Sequence, residues 1–488
     1  MSTPVEELEP RALWRHFVAL SRIPRCSKHE ADAVAWIEEL AREKGCATRR
    51  DDVGNLLVEI PASPGCENAP TVILQGHVDM VCEKNSDVEH DFARDPIVPV
   101  IDGEWVRARG TTLGADNGIG VCMGLALLDA KDLVHGPLEL LMTVDEETGL
   151  TGAMHIAPGF MRGSRLINLD SEELGVFTVG CAGGQDSVLE LRAPRTASSG
   201  TALRLSVGGL LGGHSGQDIA KNRGHSLRIL ARLLSAAREA EGVRGLRLGL
   251  VAGGSKRNAI PREATALLSV PAASVPALRE TIARVERECA EQVAGIEPDF
   301  KVTLQASEAP EGGFADETAS ARLLDLILTL PQGVLAMNVD IPTLVETSNN
   351  VGVIDDLGDG WRLTCASRTS NAPAMEDVSA SIRAAGRLAG ASVAHGNGYP
   401  GWKPNLGSEL LARAKRVYQR LAGHEAQVEA IHAGLECGLL TEKYPDLDIL
   451  SYGPKIVDAH SPAERVDIAS VKEVYDFTCA LLEDLARA

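Results

Sequence analysis

The chain has 488 residues, of which 44% are hydrophobic and 24% charged, and its formal net charge is −20. At ~150 residues per domain this length gives two or three domains, with the composition of an ordinary globular protein. So negative a balance argues against nucleic acid and against an anionic membrane as partners, since both are polyanions.

The N-terminal stretch MSTPVEELEPRALW is acidic and lacks the basic-then-apolar order of a secretory signal. A helix is expected over 7–20, and Ser27 with Glu30 suggests a capping box opening a second helix that runs to about residue 44. Four apolar extended runs lie at 55–60, 71–75, 138–144 and 166–169, with a helix over 118–129 among them. Such runs, separated by helices, read as buried strands of an α/β sheet. From residue 201 the rhythm changes. Strand 202–207, helix 218–239, strands 247–252 and 264–270 and helix 275–293 come first. Strand 301–305, helix 318–328, strands 343–347 and 361–366 and helix 375–388 then repeat that α+β order. Strand 448–452 and helix 470–486 return to the first style.

The expected architecture is therefore a two-layered α/β catalytic domain with a central, mostly parallel sheet flanked by helices, built from 1–186 and 397–488. An inserted α+β lid would occupy 187–396. No apolar run reaches the ~20 residues that span a bilayer. Ten cysteines, at 26, 46, 66, 82, 122, 181, 289, 365, 437 and 479, include no CxxC pair. Neither a disulfide framework nor a cysteine metal site is expected, and a reducing cytoplasm fits.

Carboxylates and histidines fall at strand ends. The run 71–75 delivers Gly76-His77-Val78-Asp79, the run 138–144 delivers Asp145-Glu146-Glu147, and the run 166–169 delivers Asp170. Asp116 lies in the glycine-rich turn Leu113-Gly114-Ala115-Asp116-Asn117-Gly118, before a helix. Open α/β sheets bind ligands outside the carboxyl ends of their strands. Alone, His77 reads as a structural histidine, Glu146-Glu147 as a solvated loop and Asp170 as a helix cap. Together they change the reading, because so many carboxylates gathered without cations would be very costly. Histidine with aspartate and glutamate, and no cysteine, is a donor set for zinc or another borderline divalent ion in hydrolysis.

The segments GHVDM, TTLGADNG, VDEETGLTGA, INLDSEE, GGHSG and DAHSPAERV resemble the signatures of the zinc-dependent aminoacylase/carboxypeptidase clan. IPRCSKHE near the N-terminus and HAGLECG at 432–438 are similar to the aminoacyl-histidine dipeptidase (peptidase D) branch. The resemblance covers essentially the whole chain. It implies that His77 and Asp170 hold one zinc ion, that Glu147 and His460 hold the other, and that Asp116 bridges them. Cobalt or manganese would substitute. It also implies a cis peptide at Asp116–Asn117. Asp79 would orient His77 from behind, and Glu146 would be the general base and then the acid for the leaving amine.

Three lid candidates come with the same resemblance. His214 of GGHSG would stabilise the oxyanion, Asn258 of RNAIP would touch substrate, and Arg368 of SRTS would grip its terminal carboxylate. For each the alternative is a loop residue. Glu436 is a candidate for the substrate amine, against a solvated loop carboxylate. His155, His225 and His395 read as structural or exposed.

The activity implied is removal of one residue from an unblocked dipeptide, of the Xaa-His type including β-Ala-His and broad in range. Deacylation of N-acyl amino acids and tripeptidase activity are the alternatives within the clan. A homodimer through the lid is expected, with His214 reaching the partner's site; the alternative is that the doubled α+β lid imitates that contact within a single chain.

Overall fold

A computed structural model describes residues 4–396 and 398–487; the expected domain limit at residue 397 lies outside the described residues. The chain forms two compact units. One comprises Met1–Cys181, Trp402–Ala430 and Leu435–Ala488, and the other Ala182–Gly401 and Ile431–Gly434. The short run Ile431–Gly434 is a second excursion into the inserted unit, without a counterpart in the sequence reading.

The first unit holds an eight-stranded sheet ordered Ala47–Arg50, Leu56–Ile60, Leu138–Thr143, Val72–His77, Arg165–Asn168, Asp448–Ser451, Val176–Cys181 and Gln427–Ile431. Its centre is parallel. Val72–His77 pairs in parallel with Leu138–Thr143 and with Arg165–Asn168, and the latter with Asp448–Ser451. Every residue of Val72–His77 and Leu138–Thr143 is buried, which is why both read as apolar runs without alternation. The helix Ala115–Leu127 buries all its residues except Asp116. It lies so close to the sheet that a Cβ on Gly76 would sit 2.3 Å from Asn117 Oδ1, and one on Gly120 2.6 Å from Leu169 O. The peptide Asp116–Asn117 is cis, as the resemblance implies.

A second, four-stranded sheet, Ile456–Val457, Arg465–Asp467, Trp105–Arg107 and Val100–Asp102, was not anticipated. His460 lies in the loop between its first two strands. The helix expected over 7–20 is confined to Arg11–Leu20 after a 3-10 turn at Val5–Glu7. The second begins at Ala31 with no side-chain cap, so the capping box does not form. Ser27 and Glu30 make other bonds, described below.

The second unit is built on a nine-stranded sheet. The path runs Lys301–Ala306, Thr201–Gly208, Ala264–Val270, Arg247–Gly253, Val345–Asp356, Gly360–Thr369, Gly183–Arg192 and Ser392–His395, with Gly333–Met337 beside Val345–Asp356. Helices Ser226–Glu239, Val275–Val293, Glu317–Thr329 and Ala372–Ala389 share one apolar core with it, through Leu227, Leu278, Leu323 and Ile382. The doubled pattern is present, but its phase differs from the sequence reading. Lys301–Ala306 closes the first half by pairing with Thr201–Gly208. Gly183–Arg192, which precedes both halves, pairs with Gly360–Thr369 and Ser392–His395 and supplies the matching strand of the second. The helix expected from residue 218 starts at Ser226, because a 3-10 turn at Ile219–Lys221 ends on Asn222 at φ 53°.

No helix among the described residues is long and apolar enough to cross a membrane. Cys26 and Cys82 form a disulfide, against the expectation of none. Spacing rules see only nearby cysteines, whereas here a parallel bridge between Cys26 and Met80 brings distant segments together.

Candidate metal centre

His77 ends the strand Val72–His77, and its Nε2 lies 3.1 Å from Asp116 Oδ1 and 3.2 Å from Asp170 Oδ1. His460, at φ 62°, places Nε2 3.0 Å from Asp116 Oδ2 and 3.0 Å from Glu147 Oε2. Asp116 thus turns one oxygen toward each of two histidine–carboxylate pairs. In each trio, His77–Asp116–Asp170 and Asp116–Glu147–His460, the donor atoms lie within 4.8 Å of one another. The five residues assigned to metal from the sequence therefore converge. Asp116 leaves the helix surface because its ψ of 113° and the φ of −104° at Asn117 break the first turn.

The donors fit two divalent cations. Glu147 Oε1 is buried without a hydrogen-bond partner, and Asp170 Oδ1 approaches His77 without hydrogen-bond geometry. Burial opposes a charge on His77, yet Asp170, Asp116 and Asp79 together lift its pKa well above the ordinary value. Hydrogen bonds to Asp116 and Glu147 raise His460 to about 11. Burial, with Asp116 and Glu147 nearby, raises Asp170 to about 6 against the pull of His77. Protons thus gather where cations would neutralise the same charge.

Behind the donors, Asp79 is fully buried, with Oδ1 3.4 Å from His77 Nδ1. It accepts the backbone N–H of Glu146 at 3.0 Å, that of Glu147 at 3.2 Å and the Ser27 hydroxyl at 2.7 Å. Burial works against its charge, but the bonds from His77 and Ser27 hold its pKa down at about 2. His77 Nδ1 bonds the Asp79 backbone carbonyl at 3.2 Å, while the Asp79 carboxylate fixes the backbone carrying both glutamates. Burial, with Asp170, Glu436 and Glu147 adding to it against His77, raises Glu146 well above the usual carboxylate range. That makes it a stronger base.

Glu436 is wholly buried, not the solvated loop carboxylate that was the alternative. It opens the helix Glu436–Lys443 and accepts from Gln75 Nε2 at 2.6 Å and Thr143 Oγ1 at 2.7 Å, beneath His77. Burial raises its pKa to about 7.

Two charged residues escaped sequence reasoning. Arg25, 2% exposed, donates to the carbonyls of Val78 at 2.7 Å, Asp79 at 3.1 Å and Gly114 at 2.6 Å. Glu464, 2% exposed, accepts the backbone N–H groups of Leu113, Gly114, Ala115 and Asp116. Both stand in quoted motifs, IPRCSKHE and DAHSPAERV, and that was the only available signal. Glu30 Oε1 likewise takes the N–H groups of Lys28 and Asp145.

The second unit carries the other candidates. His214 pairs with Ala259 in a two-stranded ribbon, and its Nδ1 accepts the N–H groups of Gly216 and Gln217. Its Nε2 lies 3.5 Å from Arg368 Nη2. Burial and then Arg368 lower its pKa. Arg368 is 9% exposed and bonds the Tyr399 hydroxyl at 3.2 Å, while its buried Nε has no partner. Asn258 is exposed, and its carbonyl accepts the Ser215 N–H. His225 is buried as the cap of Ser226–Glu239, His155 is exposed, and His395 bonds Ser187.

Two donor groups about one shared carboxylate, at the strand ends of an α/β unit, define a metal-dependent hydrolase. Comparison with known proteins narrows that class. The description "Peptidase family M20/M25/M40" matches residues 73–484, and the chain belongs to that family. It is 39% identical over 484 residues to the cytosol non-specific dipeptidase of Escherichia coli K12, covering 99% of each chain. Among solved structures it resembles aminoacylhistidine dipeptidase from Vibrio alginolyticus, with a TM-score of 0.92, 40% identity, and 99% and 98% of the two chains covered. Aminopeptidase PepT from Bacillus cereus shares the fold alone, at a TM-score of 0.57 and 15% identity over 98% and 99% of the chains.

Proposed function

We propose that this peptidase is a cytoplasmic dipeptidase of broad range, accepting Xaa-His and β-Ala-His among unblocked dipeptides, and that it works with two zinc ions. The observation that carries the reading is the pair of oxygens on Asp116, each facing its own histidine and carboxylate. His77 and Asp170 would hold one ion, Glu147 and His460 the other, with Asp116 common to both. Two such cations supply Lewis acidity toward water and toward the scissile carbonyl.

The chain's own groups do the rest. Glu146, its pKa raised, takes a proton from the attacking water and returns it to the departing amine. His214, with Nδ1 occupied by two backbone donors, offers Nε2–H to the oxygen that becomes negative. Arg368, which touches the Tyr399 hydroxyl and His214, supplies a guanidinium for the terminal carboxylate. Asn258 is a further substrate contact. Glu436 holds Gln75 and Thr143 with Oε2, and its partnerless Oε1 is the atom left for a substrate amine. The inserted unit serves as a lid that excludes water and as the surface of a homodimer, with His214 of one subunit serving the site of the other. The names of the E. coli and Vibrio relatives, both dipeptidases, support the substrate class.

Metal analysis and turnover test this together. The purified chain should hold two zinc ions and cleave Ala-His and β-Ala-His, leaving N-acetyl amino acids and tripeptides nearly untouched. Preference for an N-acetyl amino acid would make it a deacylase, and one ion per chain would remove the bridging role of Asp116.

A further inference from the structure

We infer that Glu464 is the positioning residue for the bridging carboxylate, fixing Asp116 in register with His460. Glu464 Oε2 accepts the N–H groups of Leu113 at 2.7 Å and Gly114 at 2.9 Å, and Oε1 those of Ala115 at 2.7 Å and Asp116 at 3.2 Å. These four consecutive donors lead into the helix Ala115–Leu127, whose own cap is Gly114, at φ 70° and with no side chain to offer. First-turn N–H groups have no partner within a helix. Here a carboxylate about 350 residues further along the chain supplies one.

That carboxylate sits four residues after His460, on the loop that also delivers the histidine. The loop therefore grips Asp116 twice, through His460 Nε2 on its side chain at 3.0 Å and through Glu464 on its backbone. Arg25 holds the opposite edge of the same turn, donating to Gly114 O at 2.6 Å and to the carbonyls of Val78 and Asp79 beside His77. Asp116 has already left helical geometry. Its direction is set by the turn that Glu464 clamps. Partners behind metal ligands are typically worth ~10–100-fold in affinity or activity. The inference rests on Asp116 and His460 being cation ligands.

The test is Glu464→Gln, which keeps the shape but aims an NH2 group at two of the four donors. Cobalt(II), followed by chelator competition and by its visible absorption, is the probe. For Glu464→Gln with wild-type circular dichroism, ~10–100-fold weaker binding of one of two cobalt ions is expected. Its absorption band should be altered, and kcat should fall with KM nearly unchanged. Glu464→Asp, which keeps the charge, should recover part of both. A folded Glu464→Gln protein with wild-type cobalt affinity and spectrum overturns the inference, leaving Glu464 a cap for stability only. Should both variants fail to fold, amide exchange in the wild-type protein decides. Protection of the 113–116 amides without metal supports positioning, and protection only after cobalt is added overturns it. Wild-type protein binding a single cobalt ion would instead overturn the two-cation reading itself.

Discussion

Ser27 donates its hydroxyl to Asp79 Oδ2 at 2.7 Å, across a gap of 52 residues in the chain. A residue that reads as a helix cap thus supports the carboxylate behind His77. Ser27→Ala should cost about 1.5–3 kcal/mol of stability, as expected for a hydrogen bond to a charged, buried group. Urea unfolding of the metal-free protein checks it. A loss below ~0.5 kcal/mol would mean that water replaces the hydroxyl without cost.

Glu146→Gln should retain both cations while turnover falls by ~100-fold or more, the usual worth of a general base. His77→Ala should lose metal. Elemental analysis beside kinetics separates the two. Equal metal loss in both variants would make Glu146 a ligand and exchange its role with that of Glu147.

Acid should weaken the inserted unit through His225. Burial and then Arg228 lower its pKa to about 4, against about 6.5 when unfolded. The unfolded chain therefore takes up a proton that the native ring refuses, and stability falls as pH drops from about 6.5 to about 4. Above and below that window His225 contributes no slope. The integrated loss is about 3 kcal/mol. Denaturant unfolding at pH 7 and 4.5, compared with His225→Gln, measures it. An unchanged pH dependence in the variant would assign the loss elsewhere.

The disulfide closes a segment of 56 residues that contains His77 and Asp79. Chain entropy gives about 4 kcal/mol for a loop of that length. The double replacement Cys26→Ser with Cys82→Ser should lower the unfolding free energy by that order, and dithiothreitol should do the same to the wild type. Thiol counting on freshly isolated protein shows which form the cell keeps. Ten free thiols and no effect of dithiothreitol would show that the pair is never joined.

Mixing His214→Ala with Glu146→Gln, each inactive alone, should restore part of the activity if the lid histidine works across a dimer. Exchange of subunits without recovery would mean that each chain completes its own site.

His77, Glu147, Asp170 and Asp116 were legible as candidates because they stand at strand ends or in a glycine turn, whereas His460 and the division into two donor groups came only with the family resemblance. His77, Glu147 and Asp170 need only local pattern to be placed at one sheet edge. Arg25 and Glu464 do not announce themselves, because their partners are backbone groups far along the chain. A charged loop residue looks the same whether solvated or buried. Glu436 carried a solvated-loop alternative for that reason, and its burial removes that alternative. The permuted halves of the inserted unit were hidden differently: Lys301–Ala306 reads as the opening of a repeat, and only its pairing with Thr201–Gly208 shows that it closes one.

His460 reaches Asp116 from 344 residues downstream. At ~5–20 residues per second, a ribosome needs about 20–70 s to make that stretch. For that interval the emerging chain exposes an acidic hollow with one histidine and no second. If His460 is a ligand, as proposed, its donor group with Asp116 and Glu147 is complete only once residue 460 has been made and folded back.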